Sequence, residues 1–558
     1  MANWQDWAIR DFTEGYVDKM TNSLLPDNAS YDCQNVISRV VGELEGRPGQ
    51  SKLNSSSLVV TSTNPILGLY PYYTTSGLRR LIAAAEGKIF YWKTNTFTQL
   101  HTGLNASADV HFESCANYMV GFNGVSAPFK WTGAGAVSAL ANAPATGRYP
   151  ILYKEKLLVA LSDQPSQIWW SDEFDPESWP AINYWSFKEG DGDQITNLKS
   201  YFGELVVFKR NSTHTLKGTT LDDFASAEFH SSIGCVGPRA AAMDGMSIFF
   251  VGDMGLYRFN GAKIDNIGLD RIPLKWEGIN KAYIHKAVVQ AWDGLIWFML
   301  PAGSSTTNDL VLIYDPQGGK FWPWVGINLS CTCTFFDGSS TKFYGGSTTG
   351  GWVIQQDIGT DDMGTAIDGY YTTKAFNQGT PDREKRAKKV FMELEKTEDH
   401  SMATGLVNAY VVTLDSSVLA YTEGLSVWFR ANLANTGACT LKGNSLGAVA
   451  IKLGAVDLSS GTIAKDDLVH VIYQASTATF QYQPPTTLSI ALDYEGSFTS
   501  LIKVKDNGIV RQYKFPPTKR GKWRYISVKF SHNALGAWKV KGLMIPCKVK
   551  AKPRVRNT

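Results

Sequence analysis

The sequence predicts an all-β protein: a β-propeller of about seven blades, then a C-terminal β-sandwich carrying a small inserted β domain. Three observations predict it. A short hydrophobic strand with a Gly, Asn, Asp or Lys turn just before it recurs about seven times between Leu69 and Gly351. The copies average about 42 residues apart, within the roughly 40–50 residues of a four-stranded blade. The 558 residues are 19% charged and 12% aromatic with 51 Gly, a globular and turn-rich profile.

The chain opens MANWQDWAIRDFTEG, with charges where a signal peptide needs an apolar core. No run of 18 apolar residues spans a membrane. The expectation is a protein made and folded in a cytoplasm. Seven scattered cysteines agree with a reducing compartment and no structural disulfides, Cys331 and Cys333 reading as core thiols. Residues 1–54 read as a segment that closes or joins the propeller.

The propeller is expected over residues 55–370. Its copies are GKIFYW (87–92), NYMVGF (117–122), EKLLVAL (155–161), GELVVF (203–208), GMSIFFV (245–251), GLIWFM (294–299) and TKFYGG (341–346). Companion strands follow about a dozen residues on, such as SQIWWSD (166–172), THTLKG (213–218), GLYRFNG (255–261) and LVLIYDP (310–316). A blade cannot bury both faces alone, so it stacks on neighbours around an axis. Unrelated hairpins in two sandwiches are the alternative to that arrangement.

Past Gly369 the turn residues thin out. Residues 389–394 read as a strand entering a sandwich over 371–400 and 486–558, with a matching partner strand at 488–496. Between them, 401–485 has its own alternating strands, LSVWFRA (425–431), VHVIYQA (469–475) and TFQYQ (479–483), closed by Pro484 and Pro485. It reads as a domain inserted into a loop. From Ser500 to the end, sixteen Lys or Arg face one acid, Asp506, and several alternate with aromatics. Arg511, Lys514, Lys519, Arg520, Lys522, Arg524 and Lys529 form the candidate surface for DNA or an acidic partner. A basic outer face of an ordinary sandwich is the other reading.

The search for chemistry assigns no catalytic, cofactor-binding or metal residue. The eight His show no zinc-protease spacing, and no phosphate loop is present. GNSLG (443–447) matches a nucleophile elbow in letters but sits in an all-β context. Acids cluster in EGDGDQ (189–194) and DIGTDDMGTAID (357–368), where they could serve glycan hydrolysis or Ca²⁺ but are also what β-turns need. SDEFDPESW (171–179) is similar to the Asp-box of sialidase propellers, yet lacks its Gly and occurs once.

Four segments in order resemble tail nozzle or hub proteins of short-tailed bacteriophages. They are FTEGYVDKMTNSLLPDNASYDCQNVISRVVGELEGRPG (12–49), IWWSDEFDPESW (168–179), DGDQITNLKSYFGELVVFKRNSTHTLKG (191–218) and GCVGPRAAAMDGMSIFFVGDMGLYRFNG (234–261). Residues 435–483 resemble a small β module of phage tail fibres. The resemblance implies a structural virion protein in a ring of six copies, below the portal and adaptor, through which double-stranded DNA leaves. It implies assembly in the host cytoplasm, contacts with other tail proteins or fibres, and host-surface glycan as a partner of 401–485. The alternative function is a propeller tail protein that binds or hydrolyses host glycan.

Overall fold

The computed structural model describes residues 4–93, 95–377, 383–387, 389–394, 402–414, 418, 420–422, 424–465, 467–483, 487–493, 498–505, 511–514, 524–533 and 538–549. The chain forms two compact units. One comprises Tyr16–Met20 and Pro48–Met363; the other comprises Met1–Gly15, Thr21–Arg47 and Gly364–Thr558.

The first unit is a seven-bladed propeller whose first six blades are antiparallel four-stranded sheets. The innermost strands of the blades are, in order, Gly68–Tyr73, His111–Cys115, Gly147–Tyr153, Ile195–Tyr201, Ala241–Met243, Val288–Trp292 and Leu329–Phe336. The circle closes where the innermost strand of blade 7 meets that of blade 1.

Six of the seven sequence copies form the second strand of their blade, such as Lys156–Leu161, Glu204–Lys209 and Leu295–Leu300. These strands are buried on both sides, so they read as continuous apolar runs. The first copy is different: it is the third strand of blade 1, Lys88–Lys93. The second strand there is Arg79–Ala85, whose alanines lack the aromatic signature of the others. That displacement explains the short first spacing.

Apolar contacts run between blades. Leu81, Ala83 and Phe90 of blade 1 pack with Cys331, Cys333 and Phe335 of blade 7. Leu158 and Ile168 of blade 3 pack with Leu198, Leu205 and Val207 of blade 4. The paired glycines of TKFYGG follow from the same closeness. A Cβ on Gly346 would lie 2.6 Å from Ile66 and 2.7 Å from the Cys331 sulfur.

The ring is fastened by a distant strand. Blade 7 has only three strands from its own sequence, Leu329–Phe336, Thr341–Ser347 and Val353–Gln356; its fourth is Gln50–Lys52. Gln50, Ser51 and Lys52 pair antiparallel with Gln356, Gln355 and Ile354. The segment expected to close or join the propeller thus divides. Residues 50–52 close it, while earlier strands belong to the other unit.

That second unit contains two sheets. In one, Val36–Ile37, Leu44–Gly46, Lys539–Val549, Lys389–Leu394 and Arg511–Lys514 lie side by side; Trp4–Ile9 and Lys385–Ala387 also pair with Lys539–Val549. In the other, the order is Ala29–Gln34, Gly369–Thr373, Ser527–His532, Thr487–Asp493 and Phe498–Lys505. Lys389–Leu394 and the strand expected to match it therefore lie in different sheets. Phe12 fills the interior, edge-on to Tyr371 and Phe530.

Residues 402–483 form a separate sheet system with its own core of Tyr410, Phe429, Leu441, Ile451, Val471 and Phe480. Two of its pairings are parallel, Ala409–Val412 with Cys439–Gly443 and Val449–Leu453 with Thr479–Gln483. Among the described residues, no helix is long and apolar enough to cross a membrane.

Candidate functional site

The basic candidates do not form one described surface. Arg511 and Lys514 lie in the strand paired with Lys389–Leu394. Arg524 is exposed. Lys529 is half-buried, with its ammonium 3.6 Å from the centre of the Tyr370 ring. Lys519, Arg520 and Lys522 lie outside the described residues. Part of the C-terminal positive charge is answered from far upstream. Lys541 Nζ lies 3.2 Å from Glu43, and Lys539 lies 3.5 Å from Glu45. The apparent imbalance of the last 59 residues is therefore smaller in space than along the chain.

The acidic motifs are turn architecture. In EGDGDQ, Asp191 grips the fully buried Lys209 ammonium at 2.7 and 2.8 Å. Burial pushes the Asp191 carboxyl up, but Lys209 and the Asp193 amide outweigh it and hold the group below its ordinary value. Asp193 accepts from the Arg210 and Asn211 amides. In SDEFDPESW, Asp172 accepts from the Ser178 hydroxyl at 2.6 Å and Asp175 accepts from the Glu177 amide. In the third cluster, Asp357 accepts from the Trp292 indole at 2.8 Å. GNSLG is the hairpin turn between Cys439–Gly443 and Val449–Leu453, with Asn444 in the left-handed region. No group of three metal-ligating side chains occurs among the described residues.

A site that the motif search missed lies on the propeller axis. All seven innermost strands or the residues beside them line a cavity of about 390 Å³. Its polar groups include Tyr70, His111, Glu113, Tyr149, Lys199 and Arg239. Strand alternation places several of them: His111 and Glu113 stand two residues apart in His111–Cys115, as do Asn197 and Lys199 in Ile195–Tyr201.

Tyr149 occupies a bulge. The register of the innermost strand of blade 3 slips between Arg148 and Ile151, and Tyr149 takes φ +56°. A non-glycine residue in this region is strained and aims its side chain differently from a regular strand. Its ring meets His111 edge-on, with centroids 5.0 Å apart.

The guanidinium of Arg239 is tied down on several sides. It pairs with Asp109 at 3.0 Å and donates to the Ser330 carbonyl at 3.2 Å and to the Leu67 carbonyl. Burial disfavours its charge, but Asp109 more than compensates and raises its pKa. Tyr70 Oη lies 2.9 Å from Ser114 Oγ and 3.3 Å from Glu113 Oε1. Enclosure raises the Glu113 carboxyl toward its neutral form. Enclosure, then Arg239, lowers His111 to about 3, so its imidazole is neutral. Lys199 keeps some solvent contact along the axis, yet the protein around it lowers its pKa.

A second cavity of about 610 Å³ shares Tyr149, Pro238 and Arg239 with the first. It adds Arg210, His285 and Lys286. The two cavities adjoin at these shared residues, with Lys199 lining the first and Arg210 and Lys286 the second. The only signal in the sequence was polar residues inside otherwise apolar strands, as in ITNLKSY and HFESC.

No family model and no curated protein matches this chain. Among solved structures, it is similar to the computationally designed Ika8 protein, at 12% identity over 55% of this chain and 99% of that one, TM-score 0.35. It is similar to virginiamycin B lyase from Staphylococcus aureus, at 12% identity over 54% and 96%, TM-score 0.38. It is similar to BamB from Moraxella catarrhalis, at 12% identity over 64% and 98%, TM-score 0.35.

Proposed function

We propose that this chain is a structural virion protein: a subunit of a ring-shaped tail nozzle or hub of a short-tailed phage, below the portal and adaptor. The observation that carries the reading is the order of the four segments resembling that family. Residues 12–49 span the upstream strands of the sandwich unit, such as Ala29–Gln34 and Leu44–Gly46. Residues 168–179 span the third strand of blade 3 and its following turn, and 191–218 span three strands of blade 4. Residues 234–261 span three strands of blade 5. The similarities thus cover parts of blades 3, 4 and 5 and of the second unit, and these parts succeed one another along the chain.

The propeller also offers contact points for a neighbouring protein. Phe202 and Met246 sit on the turns after the innermost strands of blades 4 and 5, and are 76% and 73% exposed. Phe174 is exposed at the same end, bonded through its amide to Glu155 in the corresponding turn of blade 3. Exposed aromatic and Met side chains at one end are the usual anchors of an interface. In a closed ring, the subunits use the same surfaces repeatedly.

Sedimentation and native mass spectrometry of the purified full chain, alone and with the adaptor, test this reading. The expected result is a closed ring, with labelled chains in the tails of intact particles. A protein that stays monomeric under both conditions and is absent from tails would overturn it. The glycan-hydrolase alternative is tested by sugar release from host envelope. Release that is lost on Asp172→Ala or Asp175→Ala would favour that alternative.

A further inference from the structure

We propose that the propeller axis is a binding site for a small oxyanion, a carboxylate or phosphate group held by the Lys199 ammonium and reached past Arg239. The first argument is an unmatched charge. Three other lysines of the propeller have carboxylate partners: Lys209 has Asp191, Lys156 has Glu173 at 2.7 Å, and Lys130 has Glu177. Among the described residues, no carboxylate reaches ion-pair distance of Lys199. A cation surrounded by protein is costly unless an anion or good hydrogen-bond acceptors meet it. A bound oxyanion would meet it.

The second argument is space and access. The cavity of about 390 Å³ falls within the range of small-ligand sites. The adjoining cavity of about 610 Å³ carries Arg210, Arg239 and Lys286, against Asp109 as its only lining carboxylate among the described residues. Arg210 is itself bound to Asp253, and Lys286 donates to the Thr306 carbonyl. Even so, the cations lining this cavity outnumber its acids among the described residues, and a low-dielectric wall focuses such a field on anions. In the first cavity Glu113 is the one lining acid among the described residues, and it is engaged by the Ser114 amide at 2.9 Å. Glu113 on blade 2 and Lys199 on blade 4 line the same cavity and each favours the other's charged form, although no ion pair joins them among the described residues.

The third argument is rigidity. Arg239 is fixed by three partners and Tyr149 by its bulge, and both line the two cavities at once. A site whose polar groups are held before the ligand arrives loses less on ordering them.

The test is calorimetric titration of the full-length protein with inorganic phosphate and, separately, with succinate, in chloride at matched ionic strength. Saturable binding of either supports the site; phosphate alone, succinate alone or both identifies the preferred anion. Lys199→Met should weaken binding about ten- to a hundredfold, as loss of charge-assisted hydrogen bonds predicts. Lys188→Met, which removes an exposed cation paired with Glu228, should leave it unchanged. No saturable binding, or equal affinity in Lys199→Met, overturns the proposal. If Lys199→Met does not fold, wild-type crystals soaked in selenate decide the matter. Anomalous signal within hydrogen-bond reach of Lys199 Nζ supports the site, and its absence there overturns it.

Discussion

Removing one partner of the Asp191–Lys209 pair should do far more harm than removing both. Lys209 has no exposed side-chain surface, whereas Asp191 is 19% exposed. The ammonium has five contacts: both Asp191 oxygens, Ser166 Oγ at 3.1 Å, and the Phe187 and Lys188 carbonyls at 3.0 and 3.3 Å. Asp191→Ala deletes the only negative charge among them and leaves a buried cation, which costs about 3–5 kcal/mol. Lys209→Met keeps the volume, leaves an Asp191 that water can reach, and strands two carbonyls, at about 1–3 kcal/mol. For a domain as large as this propeller, roughly 2 °C of melting temperature corresponds to 1 kcal/mol. Asp191→Ala should then lower the propeller transition by roughly 6–10 °C in scanning calorimetry. The double variant should regain at least half of that. The wild-type pair also carries a pH signature. Because the folded carboxyl titrates below its ordinary 3.8, its stabilisation is present above that pH and lost as pH falls through the folded value. A double variant as unstable as the sum of the singles, or an Asp191→Ala shift under about 2 °C, would refute the reasoning.

Three further outcomes follow from the same structure. Ser51→Pro should unfasten blade 7, because Gln50–Lys52 lies between two paired neighbours and proline cannot serve a central strand; limited proteolysis should then cut near residue 50, and an unchanged digest counts against ring closure by this strand. His111, lowered to about 3 from an ordinary 6.5, stays neutral in the fold while the unfolded chain protonates. Propeller stability should therefore fall as pH drops from about 6.5 toward 3, by at most roughly 5 kcal/mol, and His111→Gln should flatten that slope in denaturant titrations. Excising 402–483, which has its own core, should preserve the propeller's calorimetric transition and ring formation while impairing adsorption to host cells; loss of folding would mean that the insert's boundaries are wrong.

The blades were legible because their second strands carry a dense local signal: a turn residue, then an apolar run buried on both faces. Where the local signal is weak, reading failed locally. Arg79–Ala85 is the second strand of blade 1, but its run of alanines hid behind the aromatic third strand. Pairing between distant strands was legible only coarsely. Residues 1–54 were expected to close or join the propeller, but nothing in Gln50–Lys52 singles it out as the strand that completes a blade some 300 residues away, since three ladder pairs leave almost no compositional trace. The same limit applies to Lys539 and Lys541, whose Glu43 and Glu45 partners lie across the fold. It applies as well to Lys389–Leu394 and Thr487–Asp493, alike in pattern yet built into different sheets. The axial residues escaped for a related reason. Each blade contributes only one or two polar side chains, so the site exists only after seven strands have converged.

That convergence also separates two openings that a ring of propellers would possess. The major groove of duplex DNA is already about 12 Å wide, so a duplex cannot thread an axial cavity of about 390 Å³. If the proposed ring conducts DNA, the path must lie between subunits, along faces that each chain repeats. The propeller axis is then left free for a ligand of a few atoms. The two proposals accordingly rest on different surfaces and fail independently. Loss of anion binding in Lys199→Met with rings intact would assign the axis to the ligand alone. A ring that forms only when phosphate or succinate is present would instead join them, with the bound anion stabilising the folded blades by mass action before they assemble.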